Sequence, residues 1–327
     1  METVAAVDVL VGLALADPPE VFPRRSLELV GLGPGEVRGL VRSGHLIRLH
    51  RGWYAVAGPG RSRAETYRLR VLAFVADDAE RRAAGQDVGG EPVLTGAAAL
   101  VMHGLPLLGT APSVITVARA YPGGRAGGGL IRPTGRLAPE DVVRRGDVLL
   151  ASPARAALDG ARWHSVQTGV AAADAALRAH LVTEIELDEA LERIPRLWRV
   201  RNARLARELA SPLSESPGES WSAVVLNTVG LPAPARQIEF EDRSGPIGRV
   251  DFWWARQRVI GEFDGRARYG RRGPAGRPPE QVLREEKLRE DRLRGLDLRV
   301  IRWTTADLGA PTALCARLVA AGLRRTA

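Results

Sequence analysis

At 327 residues the chain exceeds one typical domain of roughly 100 to 200 residues, and 45% hydrophobic residues supply apolar material for more than one core. A formal charge of +9 and a pI near 10.8 suit a polyanionic partner, although Lys287 is the only lysine, an arginine skew that GC-rich coding also produces. The lone Cys315 excludes an internal disulfide, and with it the disulfide-stapled secreted class, and fits a reducing cytoplasm.

The opening stretch METVAAVDVLVGLALADPPE has acids before and inside its apolar run, so it reads as neither a signal peptide nor a membrane span, and nothing later spans either. Three polar or glycine-rich breaks follow, at Glu80–Glu91, Pro122–Gly129 and Ser211–Gly218. The first and third read as domain boundaries. The expected organisation is therefore α+β and multidomain, with segments 1–79, 91–210 and 215–327.

The first segment reads as helices followed by a strand pair. Pro34 after Gly33 starts a helix that runs to Ser43, where Gly44 stops it. The sequence HLIRLHRGWYAVAG then alternates as a β-ribbon. A short helix followed by such a ribbon predicts a winged helix-turn-helix. In that geometry Arg38 and Arg42 project toward a DNA groove, while Arg48 and Arg51 on the ribbon reach phosphates. The stretch GHLIRLHRGWYAV resembles the N-terminal domain of AbiEi-type antitoxins, and the similarity continues more loosely through VLTGAAALVMHGLP, SVITVAR and DVLLASPARAALDGARW. That resemblance implies an antitoxin-like middle domain, repression of a promoter and a cognate toxin as partner. His103 and His164 have no Cys, Asp or Ser near them in a recognisable catalytic order. In the middle segment, Thr183 and Glu186 have the spacing of a helix-starting capping box.

From Glu219 onward the pattern becomes helix, three strands, helix, strand. Arg249–Trp254 alternates so that Asp251 and Trp253 face one way and Phe252 and Trp254 the other. The next strand, Val259–Asp264, puts Ile260, Glu262 and Asp264 on one face, and Asp251 converges with Glu262. Carboxylates on adjacent strands, set among bulky apolar neighbours, suit a magnesium or manganese ion, which takes oxygen ligands and activates water.

The run RVDFWW, VIGEFDGRARYG, EEKLREDRLRGL and LRVIRWT resembles the PD-(D/E)XK nuclease superfamily, and more narrowly its very-short-patch-repair-endonuclease-like domains. The resemblance implies a restriction-endonuclease-like α/β/α domain that hydrolyses phosphodiesters. Asp251, Glu262 and Asp264 would be its metal ligands and Glu219 an additional acid. The superfamily lysine two residues after the second acid is replaced here by Asp264, which points to Lys287 as the substitute catalytic cation and to Arg268 as a second candidate. Arg266, Arg268, Arg271 and Arg272 make a basic rim expected to bind DNA, and Trp253 and Trp254 are candidates for stacking on bases. The alternative reading is a regulator of the antitoxin type that binds without cutting.

Overall fold

The structure, a computed structural model, describes residues 19–86, 90–118, 131–133, 137–265 and 279–326. It is a mixed α+β protein whose contacts divide it into two compact units, Met1–Ser152 and Pro153–Ala327.

The first unit begins with β1 (Phe22–Pro23), α1 (Arg24–Leu29) and α2 (Pro34–Arg42), followed by β2 (Leu46–His50) and β3 (Trp53–Val56). Proline at its start and the Glu36 carboxylate bonded to the Gly33 amide at 2.7 Å fix where α2 begins. At its far end Gly44 takes a φ of +76°, which only glycine adopts freely. The strands pair antiparallel in the order β1-β3-β2, and Leu27, Val37, Leu40, Leu46 and Tyr54 fill the space between helices and ribbon.

The long helix α3 (Arg63–Ala83) has two apolar faces. Leu69 and Ala73, four apart, meet Leu49, Trp53 and Ala55 of the ribbon. Tyr67, Val71 and Phe74 meet the second sheet of this unit. That sheet contains β4 (Val93–Leu94), β5 (Ile115–Ala118), β6 (Ile131–Pro133), β7 (Val142–Arg145) and β8 (Val148–Ala151), in the order β6-β5-β4-β8-β7. The helix α4 (Gly96–His103) lies against it through Ala97, Ala98 and Val101.

The second unit opens with four helices: α5 (Pro153–Trp163), α6 (Val166–Arg178), α7 (Glu184–Glu192) and α8 (Val200–Leu209). Gly169 of α6 packs directly on Ala161 of α5, since a Cβ there would lie 2.4 Å from that of Ala161. The Thr183 and Glu186 capping box starts α7. After α9 (Pro217–Thr228) come β9 (Ala235–Asp242), β10 (Gly245–Trp254), β11 (Val259–Phe263), α10 (Pro279–Gly295), β12 (Arg299–Trp303), α11 (Thr305–Leu308) and α12 (Pro311–Ala320).

The four strands run in the order β12-β11-β10-β9, with β11 and β12 parallel and the other pairs antiparallel. Alternation gives the sheet two apolar faces. Phe252, Trp254, Val259 and Trp303 pack on Val225 and Leu226 of α9 and on Leu314 and Leu318 of α12. Ile260, Trp253 and Ile238 pack on Leu293 of α10. The half-buried Cys315 lies against the first of these cores. Among the described residues no helix is long and apolar enough to cross a membrane.

Candidate functional site

Acidic side chains meet at the end of β11. Antiparallel pairing of Phe252 with Gly261 places Asp251 beside Glu262. The Asp251 carboxylate accepts the Phe263 amide at 2.8 Å, so an acid takes the position of a ladder carbonyl where the strands part. Glu219 reaches the same place from the first turn of α9. It accepts from the Glu215 amide at 2.9 Å and the Ser216 hydroxyl at 2.7 Å, and only 7% of it is exposed.

Gln237 joins the two acids. Its amide nitrogen donates to Glu219 at 2.9 Å and, more weakly, to Asp251 at 3.4 Å. Its backbone sits at φ +55° inside a strand, a left-handed conformation that side-chain-bearing residues rarely adopt and that marks a geometry held by its surroundings. The sequence reading missed this residue, because nothing in ARQIEF signals a reversed φ.

Burial pushes the Asp251 carboxyl up to about 6. The negative charges of Glu219 and Glu262 add to this, and the Phe263 amide and Gln237 oppose it. Beneath the cluster, burial also raises the carboxyl of Asp174, which accepts from the Ser211 amide and the Ser220 hydroxyl, both at 2.7 Å. Arg236 supplies positive charge to Asp174 and Glu219 together, while burial lowers its own pKa.

Glu262 is neutralised within the chain. One carboxylate oxygen accepts from Arg289 at 2.8 Å and the other from Arg302 at 2.9 Å. Arg289 also donates to the Arg249 carbonyl at 2.7 Å, and Arg302 pairs with Glu290 at 3.0 Å. Burial works against the charge of Arg302, but the bond to Glu262 and the nearby Glu290 and Glu286 hold its pKa above the ordinary value.

Among the described residues, the cations bonded to Glu262 are thus Arg289 and Arg302, while Arg236 lies near Glu219. Lys287, expected to serve there, is exposed on α10. Leu293 is fully buried and fixes which side of α10 meets the sheet. Arg289, four residues earlier and about one turn away, shares that side, whereas Lys287, six residues earlier, does not. Asp264 is exposed at the end of β11, its amide donating to the Trp303 carbonyl at 2.7 Å. Among the described residues no group of three His, Cys, Asp or Glu side chains is arranged to hold a metal ion. The magnesium ligands implied by resemblance, Asp251, Glu262 and Asp264, therefore do not fit one in this arrangement, because arginine donors already occupy both oxygens of Glu262 and Asp264 is exposed beyond the end of β11.

Neither tryptophan of RVDFWW is free to stack on a base. Trp254 is buried with its indole N–H on the Pro232 carbonyl at 2.7 Å, and Trp253 packs edge-on against Phe240 at 5.1 Å. The expected DNA-binding residues Arg266, Arg268, Arg271 and Arg272 lie outside the described residues.

In the first unit, Arg38 and Arg42 of α2 and Arg48 of β2 line one open groove with Val37, Val41 and Tyr54. Arg38 and Arg42 are one turn apart, which puts both on the side of α2 that faces the ribbon. Among the described residues no carboxylate pairs with any of the three. Arg51 is exposed in the turn between β2 and β3, outside this lining.

No protein-family profile matches the chain. Over 140 residues it is 30% identical to the uncharacterized proteins MT2308 and Rv2248, from the CDC 1551 / Oshkosh and ATCC 25618 / H37Rv strains of Mycobacterium tuberculosis. The match covers 43% of this chain, and the chain spans about half the length of these curated relatives, 47%. A crystal structure of the RV2827C protein from Mycobacterium tuberculosis aligns with a TM-score of 0.36 at 19% identity, covering 68% of this chain and 80% of that one.

Proposed function

We propose that the chain is a DNA-binding protein of the antitoxin-regulator type, docking on duplex DNA through a winged helix in its first unit. The supporting observation is the groove in which Arg38, Arg42 and Arg48 gather around Tyr54 without carboxylate partners. Three uncompensated guanidinium groups on a helix and its adjacent ribbon are the kind of contact that meets phosphates at a groove edge. A purely structural hairpin has no need to hold like charges together. In this reading residues 215–327 form a restriction-endonuclease-like domain in which Arg289 and Arg302 close Glu262, and a cognate toxin is the protein partner to look for. The test is a mobility-shift titration of duplex DNA. Arg38→Ala combined with Arg42→Ala should weaken binding at least tenfold with the fold intact, and unchanged affinity would move the groove to protein docking.

A second reading, a magnesium- or manganese-dependent endonuclease, rests on a different observation. Burial, with the nearby charges of Glu219 and Glu262 adding to it, raises the Asp251 carboxyl to about 6, and a bound cation would relieve the repulsion among these acids. It requires Arg289 and Arg302 to leave Glu262. Plasmid nicking that needs the metal and disappears in both Asp251→Ala and Glu262→Ala would establish this reading over the regulator.

A further inference from the structure

The second unit carries another basic surface, made by residues that belong neither to the acid cluster nor to the arginine groove. Residues 193–199, RIPRLWR, connect α7 to α8, whose first turn adds Arg201. Trp198 in this connection is 55% exposed, whereas a side chain of its size usually hides most of its area. The guanidinium carbon of Arg199 lies 4.3 Å from the centre of the Trp198 ring, and the Trp163 ring is 5.1 Å away. Arg199 holds this position from a left-handed backbone, φ +55°, at the cap of α8.

The stack is anchored from below. Arg162 donates to the Trp198 carbonyl at 2.9 Å and is itself bonded to Asp159, which is buried and also accepts from Arg155 at 3.0 Å. Around the stack, Arg196, Arg199 and Arg201 are exposed, and among the described residues no carboxylate pairs with them. A rigid base therefore presents a flat aromatic and guanidinium surface within a field of uncompensated positive charge.

We propose that this Trp198–Arg199 platform binds single-stranded nucleic acid, with an unpaired base stacking on it and neighbouring phosphates meeting Arg196 and Arg201. Stacking suits any base because each has a π-face, and an arginine plane serves as well as a ring. In a duplex the base faces are hidden, so the platform selects unpaired strands. Apolar protein partners are less well matched, since the one exposed leucine of this connection, Leu197, is outnumbered by the exposed Arg196, Arg199 and Arg201.

The test is fluorescence anisotropy with a labelled oligothymidylate of about twelve nucleotides, in wild type and in an Arg38→Ala/Arg42→Ala background that removes the groove. Trp198→Ala should weaken binding about 5- to 150-fold, while Trp198→Phe retains most of it. Arg199→Gly suits the left-handed φ, so it should fold normally and still lose affinity, which separates binding from structure. Duplex affinity should not change in any of the three variants. A folded Trp198→Ala protein that binds the oligonucleotide as tightly as its parent overturns the proposal. So does a wild type that ignores the oligonucleotide but binds anionic vesicles through Trp198. Loss of duplex binding confined to the groove variants bears on the winged-helix reading alone.

Discussion

Asp251 shows how a single residue reports on its surroundings. Its carboxyl is held near pH 6 in the folded chain by burial and by Glu219 and Glu262, against an ordinary value near 3.9 in an unfolded one. A raised acid is tolerated best when protonated. Its native environment is thus least unfavourable below about pH 4, and the folded state loses stability as pH rises through 6. The loss amounts to roughly 2 to 3 kcal/mol once complete. Asp251→Asn keeps an acceptor for the Phe263 amide and removes the charge. Thermal denaturation from pH 4 to pH 8 should show the variant close to wild type at the acid end and more stable above pH 7. A constant offset across that range would mean that the carboxyl is not raised.

Glu262, in contrast, is paired within the chain to Arg289 and Arg302. Glu262→Ala leaves two partly buried guanidinium groups facing each other and should cost about 1 to 3 kcal/mol in denaturant unfolding. Alanine at the exposed Lys287 should change stability by less than about 0.5 kcal/mol.

At the scale of elements, the strands were the legible part. The alternation in RVDFWW and VIGEFD shows directly which residues enter the core, and the pairing of Asp251 with Glu262 follows from a hairpin of that length. The orientation of α10 was not legible, because EEKLREDRLRGL is laced with charge all around and only Leu293 marks the inner side. Register between β11 and β12 was equally hidden. These strands are parallel and separated by a helix, so no turn residue announces that Glu262 lies beside Arg302. The break at Ser211–Gly218 has a linker's composition, yet the buried Asp174 ties Ser211 and Ser220 to α6, a contact that no local pattern encodes.

The contact between the sheet and α9 gives an element-level prediction. Gly261 lies under two indoles, where a Cβ would stand 2.4 Å from Trp303 and 3.1 Å from Trp254. Gly261→Ala should therefore destabilise by about 1 to 3 kcal/mol through overpacking. Ser222→Ala should cost a similar amount, since it strips the Trp303 indole N–H of its buried partner at 2.7 Å. Urea unfolding followed by tryptophan fluorescence measures both. A neutral Gly261→Ala would show that the sheet and α9 are less closely packed than described.

For the whole molecule, composition was an ambiguous guide: the arginine-rich excess charge agrees with nucleic-acid binding and with codon bias alike. What distinguishes them is placement. Many arginines are paired with acids, among them Arg25 with Glu80, Arg68 with Glu20, Arg207 with Asp188 and Arg292 with Asp242. Those of the groove and of the Trp198 platform have no such partners among the described residues. Charge that the fold does not use internally remains available to phosphate. The salt dependence of duplex binding tests this most directly. Plotted as log affinity against log salt, wild type should fall linearly, and the Arg38→Ala/Arg42→Ala/Arg48→Ala variant should fall less steeply by about 2 to 3 in slope, near 0.9 for each lost phosphate contact. Parallel lines for the two proteins would contradict DNA docking through this groove.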